Sequence, residues 1–216
     1  MSYDLFNPAP DNYGSHTLLH SLTPKTMEIA ISGLKNIPDF ITSQEEQDLI
    51  TAINNEKWLT DLKRRVQHYG YKYDYKKRSL DYSMFIGEIP QWAKVVAGRI
   101  VEQGLMKKNP DQVIVNEYLS GQGIADHIDC EPCFEDTIIS LSLGSTCIMD
   151  FKNIFDKKDK HELLLEPRSL IVIRGDARYK WSHGIPSREK DKWLGQTIIR
   201  GKRISLTFRM VILKSK

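Results

Sequence analysis

Asp136–Phe151 reads DTIISLSLGSTCIMDF, a β-rich run of period two broken by the Gly144–Ser145 turn, and this alternation decides the fold. The same period governs the chain from about Val113 onward. VIVNEYL (113–119), HELLLEP (161–167), SLIVIRGD (169–176), YKWSH (179–183) and TIIRGKRISLTFRMVIL (197–213) are short β-rich runs separated by Gly, Pro or charged turns. Upstream the period is helical. Ser43 followed by Glu46 resembles a capping box, and Leu49, Ile50 and Ile53 then give a stripe ending near Trp58. Pro90, a favoured first-turn residue, opens a second helix expected to bury Trp92, Val95, Val96 and Ile100. Many short strands after a helical start predict an α+β protein whose second half is a jelly roll or barrel.

The 216 residues suit one domain with extensions, and residues 1 to about 27, polar and without sustained period, read as an N-terminal arm. With 40% hydrophobic and 27% charged residues the composition excludes disordered, fibrous and disulfide-stapled classes. No apolar run reaches the roughly 18 residues of a membrane span, and MSYDLFNPAP lacks the basic-then-apolar order of a signal peptide. Three cysteines, an odd number, make no disulfide framework and fit a reducing compartment. These readings together predict a soluble, cytoplasmic monomer with no membrane partner.

Charge is concentrated rather than spread. The chain carries a net +3, yet Lys63–Arg78, KRRVQHYGYKYDYKKR, holds seven Lys or Arg against one Asp. Tyr69, Tyr71, Tyr73 and Tyr75 recur there with period two, so an extended strand would present four rings on one face and Lys72, Asp74 and Lys76 on the other. Bases stack on such rings and phosphates pair with such cations, which suits nucleic acid. The alternative is a Tyr-rich hairpin whose charges are simply solvated.

Of six histidines, two stand in informative settings. His127 and Asp129 form an H-x-D pair just after the turn SGQG, and residues two apart at a strand edge project to one side. His183, in WSHG 54 residues later, follows a strand that a sandwich can return to the same mouth. Two imidazoles and one carboxylate on one face of a metal characterise non-haem Fe(II) oxygenases. A His beside an Asp is also a common structural pair, so corroboration matters. It comes from RISLTFR, where Arg203 and Arg209 share parity with Ser205 and Thr207, opposite Ile204, Leu206, Phe208 and Met210. Two inward arginines can converge on a short dicarboxylate, with Asn116 and Tyr118 as further donors; the alternative is salt bridges at a barrel rim. C-E-P-C at Cys130 and Cys133 is a lone pair without a second C-x-x-C and is weak evidence for a zinc or redox site. His161, after DKKDK, reads as solvated.

Together these motifs, N-x-Y at Asn116 and Tyr118, H-x-D at His127 and Asp129, His183, and R-x-S-x-T-x-R from Arg203 to Arg209, resemble the AlkB family of Fe(II)- and 2-oxoglutarate-dependent dioxygenases over about Lys35 to Leu213. RRVQHYGYKY, FEDTIISLSLGSTCIMDFKN and PRSLIVIRGDARYKWSHGI are most similar to its tRNA wobble-uridine hydroxylase branch. The resemblance implies an α+β fold with a double-stranded β-helix (jelly-roll) core at about 111–213, N-terminal helices packed on it, and a β-hairpin nucleotide-recognition lid at about 61–82, in one domain spanning 28–216. It implies that His127, Asp129 and His183 bind Fe(II) and carry catalysis, that Arg203 and Tyr118 hold the distal carboxylate of 2-oxoglutarate, and that Arg209 and Asn116 meet its other end. Ser205 stands where the family often has Asn and is a further candidate contact. On the substrate side the candidates are Arg64, Arg65, Tyr69, Tyr71 and Tyr73, with Glu131 either near the target base or a surface carboxylate. Molecular oxygen completes the implied cofactors. The implied activity is oxidation of an alkylated or modified base in DNA or RNA, with release of formaldehyde in the repair type; the alternatives are hydroxylation of a wobble uridine in tRNA, or of a protein or small molecule on the same fold.

Overall fold

The structure is a computed structural model and describes residues 30–60, 63–73 and 79–213. The expected arm at 1–27 and the lid residues Asp74, Tyr75, Lys76 and Lys77 lie outside the described residues.

Leu34–Ile37 (β1) leads to helix α1, Ser43–Asn54. Its capping box sits one residue earlier than the sequence suggested: the Thr42 side chain accepts from the Glu45 N–H, and Glu45 accepts from the Thr42 N–H. Arg65–Tyr71 (β2) and Phe85–Gly87 (β3) precede α2, Gln91–Glu102, which follows Pro90 as expected. Gln112–Tyr118 (β4), Ile124–His127 (β5), Ile138–Gly144 (β6), Cys147–Asn153 (β7), Lys160–Leu165 (β8) and Leu170–Ile173 (β9) follow. A single helical turn α3, Asp176–Tyr179, then Trp181–Ile185 (β10), Lys190–Trp193 (β11), Gln196–Ile199 (β12) and Arg203–Arg209 (β13) complete the chain.

A seven-stranded sheet runs in the order β1-β9-β6-β13-β4-β2-β3 and a four-stranded sheet in the order β5-β10-β7-β8, all pairs antiparallel. Period-two alternation divides the larger sheet between two cores. Val113, Val115, Ile139, Leu141, Leu143, Leu170, Val172, Leu206 and Phe208 face the helices, meeting Leu49 and Ile53 of α1 and Ala93, Val96, Ala97 and Ile100 of α2. In α2, Val95 is exposed and Trp92 only half-buried, because the buried stripe runs through the two alanines instead. On the other face Ile138, Ile171 and Ile173 meet Met149, Phe151, Leu163, Leu165, Trp181 and Ile185 from the smaller sheet. Covered on both sides, β4 is buried at all seven positions.

The predicted four-ring tyrosine face does not form. Along β2, Arg65, Gln67 and Tyr69 face the helices; Tyr69 packs edge-on against Trp92 and its hydroxyl donates to Gln67 Oε1. Gly70 then adopts φ +76° with a break in strand register, and Tyr71 and Tyr73 emerge on the opposite core, against Phe85 and Phe134. One residue out of step reverses every side chain after it. A second correction concerns the cysteines: Cys130 and Cys133, read as reduced, are joined as a disulfide, and Cys147 alone is free. His161 is also not simply solvated: it pairs with Asp159 and its ring lies 5.3 Å from that of Trp181.

Candidate active site

The two sheets part around a cavity of about 860 Å³. Its floor is the polar parity of the larger sheet: Asn116 and Tyr118 from β4, Ser140 from β6, and Arg203, Ser205, Thr207 and Arg209 from β13. The inward arginines therefore follow from the same alternation that turns Ile204, Leu206 and Phe208 toward the helices.

At the mouth, His127 ends β5 and pairs directly across the ladder with His183 of β10. Their ring centroids are 4.5 Å apart. Asp129, two residues past the strand, is 6% exposed and places Oδ2 3.7 Å from His183 Nε2. One donor atom from each of His127, Asp129 and His183 falls within 4.8 Å of the other two. His127 Nδ1 lies 2.9 Å from the Ala125 carbonyl, so that nitrogen carries the proton and Nε2 keeps its lone pair. Among the described residues, Asp129 Oδ2 and His183 Nδ1 are buried without a hydrogen-bond partner. Two nitrogens and one carboxylate oxygen, with a carboxylate oxygen unsatisfied by protein, fit a divalent iron.

Electrostatics keep that carboxylate charged. Burial alone pushes the Asp129 carboxyl upward, but Arg209, then His183, His127 and Arg178, more than offset it and leave it well below the usual range. Arg209 Nη2 sits 2.5 Å from Asp129 Oδ1. Burial, reinforced by His127, lowers His183 to about 4, so the imidazole is neutral and able to ligate at neutral pH. Deeper in, Arg203 Nη2 donates to Ser142 Oγ at 2.8 Å and its Cζ lies 5.6 Å from the Tyr118 ring centroid. Burial pushes the Tyr118 phenol up, so it stays protonated as a donor.

The substrate-side candidates scatter. Tyr73 and Glu131 line the cavity, Glu131 from its exposed rim. Arg64 also lines it, turned inward onto Asn116. Arg65 faces away: it makes a two-pronged salt bridge to the buried Glu117 and stacks over Trp58. Tyr69 lies on the helix side and Tyr71 outside the cavity lining, for the parity reason given above. The sequence reading missed Ser142 and Arg178. The serine was legible in the alternation of ISLSLG. Arg178, 2% exposed, donates to the carbonyls of Asp129 and Cys130, and no pattern in DARYK marks it.

A jelly roll with two imidazoles and a carboxylate across its mouth and arginines on its floor defines a mononuclear metal oxygenase. The profile of the 2OG-Fe(II) oxygenase superfamily matches residues 52–209, and the chain belongs to this family, whose members use Fe(II), 2-oxoglutarate and molecular oxygen. Within it several relatives are named as AlkB homologues. The chain is 38% identical to an alkylated DNA repair protein ALKBH8 homolog of Arabidopsis thaliana, over 91% of this chain and 64% of that protein. It is 35% identical to the tRNA (carboxymethyluridine(34)-5-O)-methyltransferase ALKBH8 of Mus musculus, over 86% of this chain and 31% of that one. A third relative, protein L905 of Acanthamoeba polyphaga mimivirus, is 37% identical over 84% of this chain and 86% of its own length. The solved structure of OsALKBH1 superimposes with a TM-score of 0.62 at 18% identity, covering 82% of this chain and 98% of that one, which establishes the shared fold.

Proposed function

We propose that this chain oxidises an alkylated or modified base in nucleic acid, with His127, Asp129 and His183 holding Fe(II) and Arg203, Tyr118, Arg209 and Asn116 holding 2-oxoglutarate. The observation that carries the reading is the juxtaposition of an unsatisfied two-histidine, one-carboxylate cluster with a floor of inward arginines in one cavity. When bound, iron and 2-oxoglutarate supply an oxidant for an unreactive C–H bond. The protein binds and orients. Arg209 keeps Asp129 ionised, the Ala125 carbonyl fixes the His127 tautomer, and the apolar walls formed by Ile138, Met149 and Ile171 limit water around the reacting centre. Ser205, beside Tyr118, completes the polar floor.

Nucleic acid is the substrate favoured by the DNA-repair name of the Arabidopsis relative, by the basic stretch entering β2, and by Tyr73 at the cavity wall. Tyr73 and Glu131 are the base-side contacts in this proposal. An N-methyl group hydroxylated there collapses to formaldehyde and the unmodified base. The second reading, hydroxylation of a tRNA wobble uridine, is supported by 35% identity to the mouse tRNA enzyme across 86% of this chain. The test is succinate formation from 2-oxoglutarate with Fe(II), oxygen and methylated oligonucleotides: the wild type should respond to the oligonucleotide and Asp129→Ala should not. Equal turnover by the two would remove Asp129 from the site.

A further inference from the structure

Arg64 and Arg65 are neighbours with opposite fates. Arg65 pairs with Glu117 on the helix side, whereas Arg64, on the cavity side with Val66, reaches Asn116, the next residue of β4. Arg64 Nε donates to Asn116 Oδ1 at 2.8 Å. Because a guanidinium has donors and no acceptor, this contact fixes the amide with its oxygen toward Arg64 and its two N–H donors available to another acceptor. Arg64 Cζ stands 5.6 Å from the centroid of the Tyr118 ring, the same distance as Arg203 Cζ. Two guanidiniums thus share one phenol. Among the described residues no carboxylate pairs with either of them: Arg203 bonds Ser142, Arg64 bonds Asn116, both neutral. By contrast, Arg209 at the other end of the floor is already paired with Asp129.

Among the described residues, this end of the cavity therefore sets two positive charges beside neutral partners only. We infer that Arg64 is a second cationic anchor for the distal carboxylate of 2-oxoglutarate, shared with Arg203, rather than a contact to the nucleic-acid backbone. The inference rests on the cosubstrate site proposed above. Charge-assisted hydrogen bonds from two arginines to one carboxylate are stronger and more directional than one. A phosphate contact, in contrast, favours an outward-facing head, whereas Arg64 lines the cavity with its Nε bonded to the floor residue Asn116.

The test is calorimetric titration of 2-oxoglutarate into the full chain loaded with Mn(II) without oxygen, so that binding is read apart from turnover. Arg64→Gln should weaken 2-oxoglutarate about 10- to 100-fold, the range of a lost charge-assisted bond, with Mn(II) affinity unchanged as proof of folding. Arg64→Lys, which keeps the charge but loses the fork to Asn116, should fall between. Arg203→Gln is the control. If Arg203→Gln weakens binding and Arg64→Gln stays within about twofold of wild type, the inference about Arg64 is wrong while the cosubstrate site stands. If neither variant changes affinity, the cosubstrate site itself is misplaced.

Discussion

Arg209→Met removes, among the described residues, the one guanidinium paired with the Asp129 carboxylate, at similar side-chain volume. The carboxylate is 6% exposed, its Oδ1 is paired at 2.5 Å with Arg209, and its Oδ2 has no hydrogen-bond partner among the described residues. Breaking a buried pair by deleting one member costs about 3–5 kcal/mol, because the remaining charge stays buried. Arg178 also stabilises the carboxylate, which places the cost near the lower figure, about 3 kcal/mol. For a chain of this length that is roughly 6–12 °C in Tm. A bound dication would neutralise the same carboxylate, so saturating Mn(II) should shrink the deficit to about 1 kcal/mol, the variant gaining more from metal than the wild type does. Urea unfolding at neutral pH, in chelator and in Mn(II), measures both. A deficit below about 1 kcal/mol in chelator, or one that metal leaves unchanged, would refute the reasoning.

Asp191 is fully buried between Arg200 and Arg188 and also accepts the Ile148 N–H; burial pushes its carboxyl up, but those hydrogen bonds outweigh burial and lower it. Its stabilisation is therefore full at neutral pH and lost as pH falls through the acid range, so Asp191→Asn should cost about 3 kcal/mol at pH 7 and progressively less below pH ~4, read by urea unfolding against pH. Gly70→Ala should destabilise by at least about 2 kcal/mol in the same assay, since φ is +76° and a Cβ would lie 1.8 Å from the Asp111 carbonyl oxygen; an unchanged midpoint would mean that β2 does not reverse its faces there. Tyr73→Ala should raise KM for an oligonucleotide substrate several-fold while Tyr69→Phe leaves it unchanged, because only Tyr73 lines the cavity; steady-state kinetics with succinate as readout separate them.

The site was legible where period and spacing carry it. Strict alternation in RISLTFR places Arg203 and Arg209 inward whatever the details of packing, and H-x-D at a strand end needs only a partner strand to bring His183 alongside. The lid was misread for a physical reason equally local: the tyrosine period assumes an unbroken strand, and Gly70, with positive φ, reverses the faces between Tyr69 and Tyr71. Arg65 shows a different limit. Its basic context suggests phosphate, yet Glu117, 52 residues on, pairs with it in the folded sheet, and no sequence window connects the two. Arg178 is likewise invisible until α3 packs behind Asp129. The Cys130–Cys133 bond joins residues three apart that composition alone assigned to the reduced state.

The most direct test of the central claim is nucleoside mass spectrometry after incubating the protein with Fe(II), 2-oxoglutarate, oxygen and a mixed pool of methylated oligonucleotides and total tRNA. The account predicts a change confined to a modified base, either loss of a methyl group or gain of one oxygen on a wobble uridine, absent with Asp129→Ala. An unchanged nucleoside profile from metal-loaded wild-type protein that still consumes 2-oxoglutarate would contradict it.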